Sequence, residues 1–127
     1  MKTSYLVQLL LFVSLMCMGQ ILFKKTAIKL SETDQNINKT IINLLLSVLQ
    51  IPYFFLALII YAVATFYWLY ILQKIPLSLA YPFTALAMII IPIASYYLFE
   101  ETINVYYWIG AFFIFIGITI ISIKGAS

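Results

Sequence analysis

The sequence predicts an all-α fold, that of an integral membrane protein whose four helices cross the bilayer. Three observations lead to this prediction. Hydrophobic residues make up 65% of the 127 residues and charged residues only 9%, against roughly 25% charged residues in a soluble domain. The apolar residues form four stretches close to the roughly 20 residues that a helix needs to cross a bilayer core. None of these stretches contains a charged residue in its interior.

The four predicted spans form a single transmembrane domain, residues 1–127, and cover about residues 5–23, 53–72, 83–99 and 105–123. Lys2 before the first span is typical of a signal peptide, but no small-residue cleavage site follows, so we expect this helix to be retained. The stretch "KIPLSLAYPF" connects the second and third spans. We expect Pro76 to end the second span and Pro82 to lie in the first turn of the third, where proline is tolerated.

A short amphipathic helix is predicted before the second span, after the polar segment Lys24–Thr40. In "IINLLLSVLQIP", Asn43, Ser47 and Gln50 recur at the helical spacing i, i+4, i+7 on an otherwise apolar segment. Pro52 should end or kink this helix. The pattern favours a helix lying in the bilayer interface; the alternative is a polar stripe that lines a lateral opening.

Several classes of function are disfavoured by the composition. The net charge of +3 comes from lysines beside apolar runs, and the chain has no arginine, so nucleic acid is not an expected partner. Histidine is absent and Cys17 is the single cysteine, which excludes an intramolecular disulfide and the usual zinc-ligand spacings. We expect no metal, no cofactor and no enzymatic activity.

The lysines do not fix the orientation in the membrane. With four spans, three lysines fall on the side of the termini and four on the other side, namely Lys2, Lys74 and Lys124 against Lys24, Lys25, Lys29 and Lys39. This bias is too small for the positive-inside rule to decide. Either another feature sets one orientation, or the chain inserts both ways, which would permit an antiparallel dimer resembling an inverted repeat.

Polar groups within the spans are the candidates for a binding site. Because no Asp, Glu, Lys or Arg lies in the interior of the spans, the obvious site for proton coupling is missing. Hydroxyl and amide side chains remain: Ser14 and Gln20, Tyr61 and Thr65, Thr84 and Ser95. Tyr61 and Thr65 are one turn apart and share a helix face. Such groups bond a neighbouring helix or their own backbone more often than a ligand.

Two further patterns concern contacts between elements. On the last span, Gly110 and Ala111 precede Gly117 by about two turns; small residues on one stripe let helices approach closely, so this is the predicted dimer face.

Lys24 and Lys25 end the first span, and Glu100 and Glu101 end the third on the same side of the membrane. These are either ordinary terminal charges or a partly desolvated cation–carboxylate pair.

The chain resembles the small four-helix branch of the drug/metabolite transporter superfamily. The resemblance lies in the order of four features: "GQILFKK", "IPLSLAYPF", "YYLFEE" and a last helix with spaced glycines. One subgroup, the small multidrug resistance exporters, depends on a first-helix glutamate that is Met16 here. Its second- and third-helix tyrosines match Tyr61 and Tyr81, and an aromatic residue common in that subgroup is Thr84 here. The scaffold therefore agrees with these exporters, but the charged group is missing.

The other subgroup comprises small EamA-like proteins similar to subunits of the aminoarabinose-phosphoundecaprenol flippase. These also lack the first-helix glutamate, and they share the pairs seen at Gly19–Gln20 and Tyr81–Pro82 and the acid at Glu100. The sequence resembles this subgroup more closely. The resemblance implies a dimer, of this chain or with a similar four-helix chain, that moves a polyprenyl-phosphate-linked sugar across the bacterial inner membrane.

The resemblance also implies roles for residues. Lys24 and Lys25 would hold the phosphate, and Glu100 would orient Lys24 or meet a basic sugar nitrogen. The sugar hydroxyls would meet Gln20, Tyr61, Thr65, Tyr81 and Thr84. Two other functions stay open: a proton-coupled exporter of small cations, and a non-transporting accessory subunit of a membrane complex.

Overall fold

The computed structural model describes residues 3–33 and 40–124, with only the backbone of Thr33 and Lys124. Lys2, Lys39 and the Lys124 side chain, which entered the charge comparison, lie outside the described residues. The described helices are α1 (Thr3–Thr33), α2 (Ile41–Leu49), α3 (Pro52–Leu72), α4 (Leu77–Phe83), α5 (Ala87–Phe99) and α6 (Val105–Lys124). A 3₁₀ turn, Thr84–Leu86, joins α4 to α5. Every described element is helical, which confirms the predicted all-α class.

Four candidate spans are present in the described part of the chain, as predicted. They are Thr3–Glu32, Pro52–Leu72, Leu77–Phe99 and Val105–Ile123. The first helix continues past the apolar residues to Thr33, whereas its span was predicted to end at Phe23. The polar segment has no proline or glycine before this point, and Thr26 donates a hydrogen bond to the carbonyl of Leu22 at 2.8 Å. Apolar length therefore marks the membrane crossing but not the end of the helix.

The third span begins at Leu77, with Pro76 as its N-cap residue, and Pro82 lies inside α4. The prediction that Pro82 occupies the first turn is wrong. Proline cannot donate to the carbonyl four residues earlier, which is that of Ser78. The 3₁₀ turn follows within two residues of Pro82, so the helix continues through a locally tighter geometry instead of starting at the proline.

A second proline, Pro92, lies buried within α5. It removes the N–H that would bond the carbonyl of Met88. The hydroxyl of Tyr107 on α6 donates to this carbonyl. A neighbouring helix therefore supplies the donor that Pro92 lacks, as membrane helices require of any backbone group in the bilayer.

The antiparallel pair α1 and α3 forms the centre of the packing. Phe12 stacks on Trp68 near one end of the pair, with ring centroids 4.6 Å apart, and Phe23 stacks on Tyr61 towards the other end at 5.0 Å. The third span packs against α1, and α6 packs against α4 and the 3₁₀ turn. In the most apolar 18 residues of each helix, 11% are buried in α6, against 28% in α1, so lipid or a partner must cover most of α6.

The predicted amphipathic helix is confirmed as α2, which has no buried residue and contacts α1 and α3. Thr40 caps it, because its hydroxyl oxygen accepts from the N–H of Asn43 at 3.4 Å. Its large apolar side chains are exposed, with Ile41 78% accessible. Such a helix is stable beside a bilayer interface, where these side chains leave water.

Candidate functional site

The side chain of Tyr61 occupies a tightly packed position midway along α3. One face of its ring stacks on Phe23, and its edge lies over Gly19 of α1. A Cβ atom at residue 19 would lie 2.4 Å from Cε2 of Tyr61, closer than any real contact allows. Glycine at this position is therefore what lets the ring lie between the two helices.

The hydroxyl of Tyr61 is buried and has no hydrogen-bond partner among the described residues. The side chain of Gln20 lies close to it without making a bond of acceptable geometry. A buried hydroxyl that stays unpaired costs about 1–3 kcal/mol. Because the hydroxyl is closed off within the chain, its polar neighbour is Gln20, whose amide can donate and accept. A ligand would reach the hydroxyl only after one of these side chains moves.

Gln8 on α1 carries the other buried side-chain atom that lacks a partner within residues 3–33 and 40–124, its Oε1. Gln8 was not among the predicted site residues. Its polarity inside an apolar run is a signal that could have identified it, since polar side chains in a span usually bond something.

The hydroxyls of Thr65 and Thr84 bond their own helices. Thr65 donates to the carbonyl of Tyr61 at 2.7 Å, and Thr84 donates to the carbonyl of Tyr81 at 2.6 Å. These bonds use the hydroxyl protons and leave oxygen lone pairs available. Both threonines can therefore accept a hydrogen bond from a ligand hydroxyl while they satisfy their own backbone.

Tyr81 lies on the outer side of α4, with 65% of its surface exposed. It borders an open groove of about 620 Å³ together with Leu77, Ser78 and Pro82. Pro82 has no N–H to donate to the carbonyl of Ser78, and both residues line this groove. Nothing in the described chain places Tyr81 next to Tyr61.

The candidate residues occupy successive depths of the membrane. From the helix rise of 1.5 Å per residue, Tyr61 lies about 16 Å from the end of α3 at Leu72. Thr65 and Thr84 lie about 10 Å from the same side, and Tyr81 about 6 Å. The structure thus spreads the predicted residues across the bilayer rather than gathering them into one cluster.

At the opposite side, Lys24 forms an ion pair with a carboxylate at the end of the third span. The partner is Glu101, with Nζ and Oε1 3.4 Å apart and both side chains about half exposed. Glu100 caps α5 in the left-handed region, with φ of 55°. Both acids were predicted as possible partners of the lysines, and the resemblance assigned the role of orienting Lys24 to Glu100. In the structure it is Glu101 that pairs with Lys24.

Lys25 faces a different neighbour from Lys24. Its Nζ lies 5.6 Å from the ring centroid of Tyr53 on α3, and Nζ of Lys29, one turn further on, lies 5.7 Å from the same centroid. With Ile28 and Glu32 they line a cleft of about 180 Å³. That Lys29 and Tyr53 lie together was not predicted, because the first span was expected to end at Phe23; the i, i+4 spacing of the lysines was the available signal.

The three residues of the predicted dimer face lie in different environments: Gly110 and Gly117 border open space, and Ala111 is buried within the chain. A Cβ atom at Gly110 or Gly117 would meet nothing within 4 Å, so both glycines leave open space beside α6. Ala111 is instead buried within the chain. It lines an apolar cavity of about 250 Å³ with Ile89, Trp108, Phe112 and Phe115.

The profile of the EamA-like transporter family matches residues 2–123. The chain belongs to this family. The match confirms the resemblance seen in the sequence and, with the four apolar helices, makes this EamA-like protein a multi-pass membrane protein. No solved structure matches it.

Relatives of this EamA-like chain are named probable 4-amino-4-deoxy-L-arabinose-phosphoundecaprenol flippase subunit ArnE. The protein of Proteus mirabilis (strain HI4320) is 30% identical over 118 residues, 91% of this chain and 96% of the relative. That of Serratia proteamaculans (strain 568) is 36% identical over 69 residues, 54% of this chain and 60% of the relative. That of Photorhabdus laumondii is 34% identical over 68 residues, with 54% and 60% coverage. These relatives are named as transporter subunits.

Proposed function

We propose that this EamA-like protein is a flippase subunit that moves a polyprenyl-phosphate-linked sugar across the bacterial inner membrane. The observation that carries the proposal is the match, along 91% of the chain, to a relative named as a subunit of such a flippase. The geometry is consistent with it, because the spans offer hydrogen-bonding groups at several depths and no charge between the two mouths.

The sugar headgroup must cross a core in which each unpaired polar group costs several kcal/mol. Tyr61 would donate to a sugar hydroxyl, and Gln20 would donate or accept. Thr65 and Thr84 would accept, and Tyr81 would meet the headgroup nearest the opposite mouth. The headgroup would thus exchange partners in steps of a few ångströms. No bond of the substrate is made or broken, so neither an enzymatic step nor a cofactor is proposed.

The charged mouth would receive the phosphate. Lys24 and Lys25 would contact it as point charges, with Lys24 held in place by Glu101 across 3.4 Å. Glu100 is exposed beside this pair. It would meet a basic nitrogen where the sugar carries one.

A second chain would complete the path. The polar residues named above lie on a thin bundle whose α6 is mostly exposed, so one chain does not enclose a headgroup. We propose a dimer with another copy or with a similar four-helix chain, in contact along Gly110 and Gly117. The polyprenyl tail would stay in the lipid throughout.

Reconstitution into liposomes tests this function. The readout is the rate at which a polyprenyl-phosphate-linked sugar in the inner leaflet becomes accessible to a membrane-impermeant oxidant of sugar diols outside. We expect Tyr61→Phe to lower the rate about tenfold, because a hydrogen bond of about 1–1.5 kcal/mol is lost. Lys24→Ala should also lower it. Tyr106→Phe, at a side chain 80% exposed, is the matched control and should leave the rate unchanged.

Two results would overturn the proposed function, and a third would overturn only the role of Lys24. Rates equal to those of empty liposomes, with this chain alone and with a similar four-helix chain, would favour an accessory subunit. Proton-linked uptake of a quaternary ammonium compound without any movement of the lipid would favour the cation exporter. Equal rates for wild type and Lys24→Ala would remove Lys24 from the phosphate site.

A further inference from the structure

The end of α3 that lies opposite the Lys24–Glu101 ion pair carries a lysine held by tyrosines. Tyr67, Tyr70 and Lys74 recur at i, i+3 and i+7, on one side of this helix end. Nζ of Lys74 donates a hydrogen bond to the hydroxyl of Tyr70 at 2.5 Å and lies 4.2 Å from the centroid of its ring. The ring of Tyr70 stacks on that of Tyr67, with centroids 6.2 Å apart. The ammonium group is therefore held at one position.

No acidic side chain of the described residues lies at this mouth. The sequence has four acids, which are Glu32, Asp34, Glu100 and Glu101. The first and the last two lie at the other end of the bundle, and Asp34 is outside the described residues. The hydrogen bond to Tyr70 raises the pKa of Lys74 above its ordinary value, because it stabilises the charged form. Lys74 is thus a cation without a carboxylate partner, whereas Lys24 has one.

The pair of Lys74 and Tyr70 has hydrogen-bond donors to spare. An ammonium group has three N–H donors, of which Tyr70 accepts one. The Tyr70 hydroxyl keeps its own O–H, for which residues 3–33 and 40–124 supply no acceptor. A hydroxyl that accepts from a cation is polarised and becomes a stronger donor. Both side chains are exposed, so one anion can accept from the two of them, through short charge-assisted bonds.

Lys74 lies at the depth of lipid phosphates. The second span ends at Leu72 and the third begins at Leu77, and the N–H of Lys74 bonds the carbonyl of Ile71 at 3.0 Å. Two residues of chain reach at most about 7 Å, and the headgroup layer extends roughly 5–8 Å beyond each side of the hydrocarbon core. The anions that surround Lys74 in a membrane are therefore the phosphates of one leaflet.

We propose that Lys74 and Tyr70 form a binding site for the phosphate of a lipid headgroup, at the mouth opposite Lys24. Lys74 binds one phosphate oxygen as a point charge, Tyr70 donates to a second oxygen, and Tyr67 holds the ring of Tyr70. The inference rests on the proposed function for the identity of the transported lipid, because it gives the substrate phosphate a partner in the second leaflet. Binding of a phosphate here does not itself require transport.

Acylation of the lysines in the full chain, in dodecyl maltoside micelles, tests the site. An amine-reactive acetyl ester modifies each exposed lysine, and mass spectrometry of the peptides reads the rate at Lys74 separately from the other lysines. We expect dihexanoyl phosphatidic acid to slow acylation of Lys74 at least several-fold, because the phosphate covers the amine. Zwitterionic dihexanoyl phosphatidylcholine should slow it much less.

Inorganic phosphate at the same concentration distinguishes the source of the phosphate. Weaker protection of Lys74 than by phosphatidic acid supports a lipid site. Equal protection would overturn the lipid as the ligand, since the acyl chains would then contribute nothing.

Two tyrosine variants locate the binding. Tyr70→Phe removes the hydroxyl that holds the ammonium group and donates to the phosphate, so phosphatidic acid should protect Lys74 several-fold less than in the wild type. Tyr67→Phe is the matched control, because it removes a hydroxyl from the same cluster, keeps the stacked ring, and should leave the protection unchanged. In each variant the rates with and without lipid are compared, which cancels any change in the reactivity of the amine.

Equal acylation of Lys74 with and without phosphatidic acid would overturn the inference and make Lys74 an ordinary interfacial anchor. The same holds if Tyr67→Phe reduces the protection as much as Tyr70→Phe. The result is independent of the transport assay, because phosphatidic acid carries no sugar and nothing is moved. A chain that binds phosphate here but does not move a lipid-linked sugar retains the site and loses the proposed function. A chain that moves the sugar while phosphatidic acid leaves Lys74 unprotected retains the function and loses the site.

Discussion

Gly19 determines where Tyr61 can lie, because the tyrosine ring occupies the space of a Cβ atom. In an open helical position, Gly→Ala is favourable by roughly 0.5–1 kcal/mol. At residue 19 we expect Gly19→Ala to lower the free energy of unfolding by about 1–3 kcal/mol, as overpacking does. Unfolding in mixed micelles, followed by the circular dichroism of the helices, measures it.

A second substitution separates this clash from other causes. In a Tyr61→Leu background the ring is gone, so Gly19→Ala should cost less than in the wild type, and the difference is the coupling energy of the pair. An equal cost in both backgrounds would show that the alanine clashes with something other than Tyr61.

The chemistry of single residues was only partly predictable from the sequence. Tyr61 and Gln20 could be named, because polar side chains in an apolar span stand out. That the Tyr61 hydroxyl lacks a partner could not, since this depends on how Phe23 and Gly19 fix the ring. Glu100 and Glu101 were both named as possible partners of the lysines, but which of them pairs with Lys24 could not be predicted, because the left-handed backbone at Glu100 is not visible in the residue types.

At the scale of elements, the third span depends on α6 for one of its backbone bonds. The Tyr107 hydroxyl donates to the Met88 carbonyl, which has no helical donor because of Pro92. We expect Tyr107→Phe to lower the free energy of unfolding by about 0.6–1.7 kcal/mol, the range of hydrogen bonds between membrane helices. Tyr106→Phe, next to it and 80% exposed, should have no such effect.

Replacing the proline tests the cause. In Pro92→Ala the chain regains an N–H for the Met88 carbonyl, so Tyr107→Phe should then cost little. A cost that is the same with and without Pro92 would mean that Tyr107 stabilises the protein through its packing alone.

The existence of the helices could be predicted from the sequence, because hydrophobicity determines which segments cross or lie on the bilayer. The four spans and α2 were found because apolar length and periodicity follow from the bilayer. The ends were not: α1 continues through Lys24, Lys25 and Lys29 to Thr33, since water-exposed residues of good helix propensity extend a helix that is already formed. The position of Lys29 over the ring of Tyr53 follows from this extension and could not be predicted from a span that ends at Phe23.

For the whole molecule, the exposed α6 gives the proposed dimer a specific test. The space beside Gly110 is open within the chain, so Gly110→Leu should leave the free energy of unfolding of the chain nearly unchanged. In a dimer that packs along this face, the same substitution should lower cross-linking at least several-fold. The cross-link would join cysteines introduced on α6 of two copies, or of this chain and a similar partner.

Ala111 provides the comparison on the same helix. Its side chain is buried within the chain beside an apolar cavity, so Ala111→Asp, which would bury a charge there, should destabilise the chain itself. Cross-linking that survives Gly110→Leu in a folded protein would place the dimer contact elsewhere.

The 3₁₀ turn at Thr84–Leu86 gives the third span a means of changing length without losing its helical character. A 3₁₀ residue rises about 2.0 Å and turns about 120°, against about 1.5 Å and 100° in an α-helix. If these three residues became α-helical, α5 would move about 1.5 Å along its axis and rotate by about 60° relative to α4. Such a screw motion would carry Glu101 around the end of α5 and away from Lys24, linking backbone geometry in the middle of the membrane to the ion pair at its mouth.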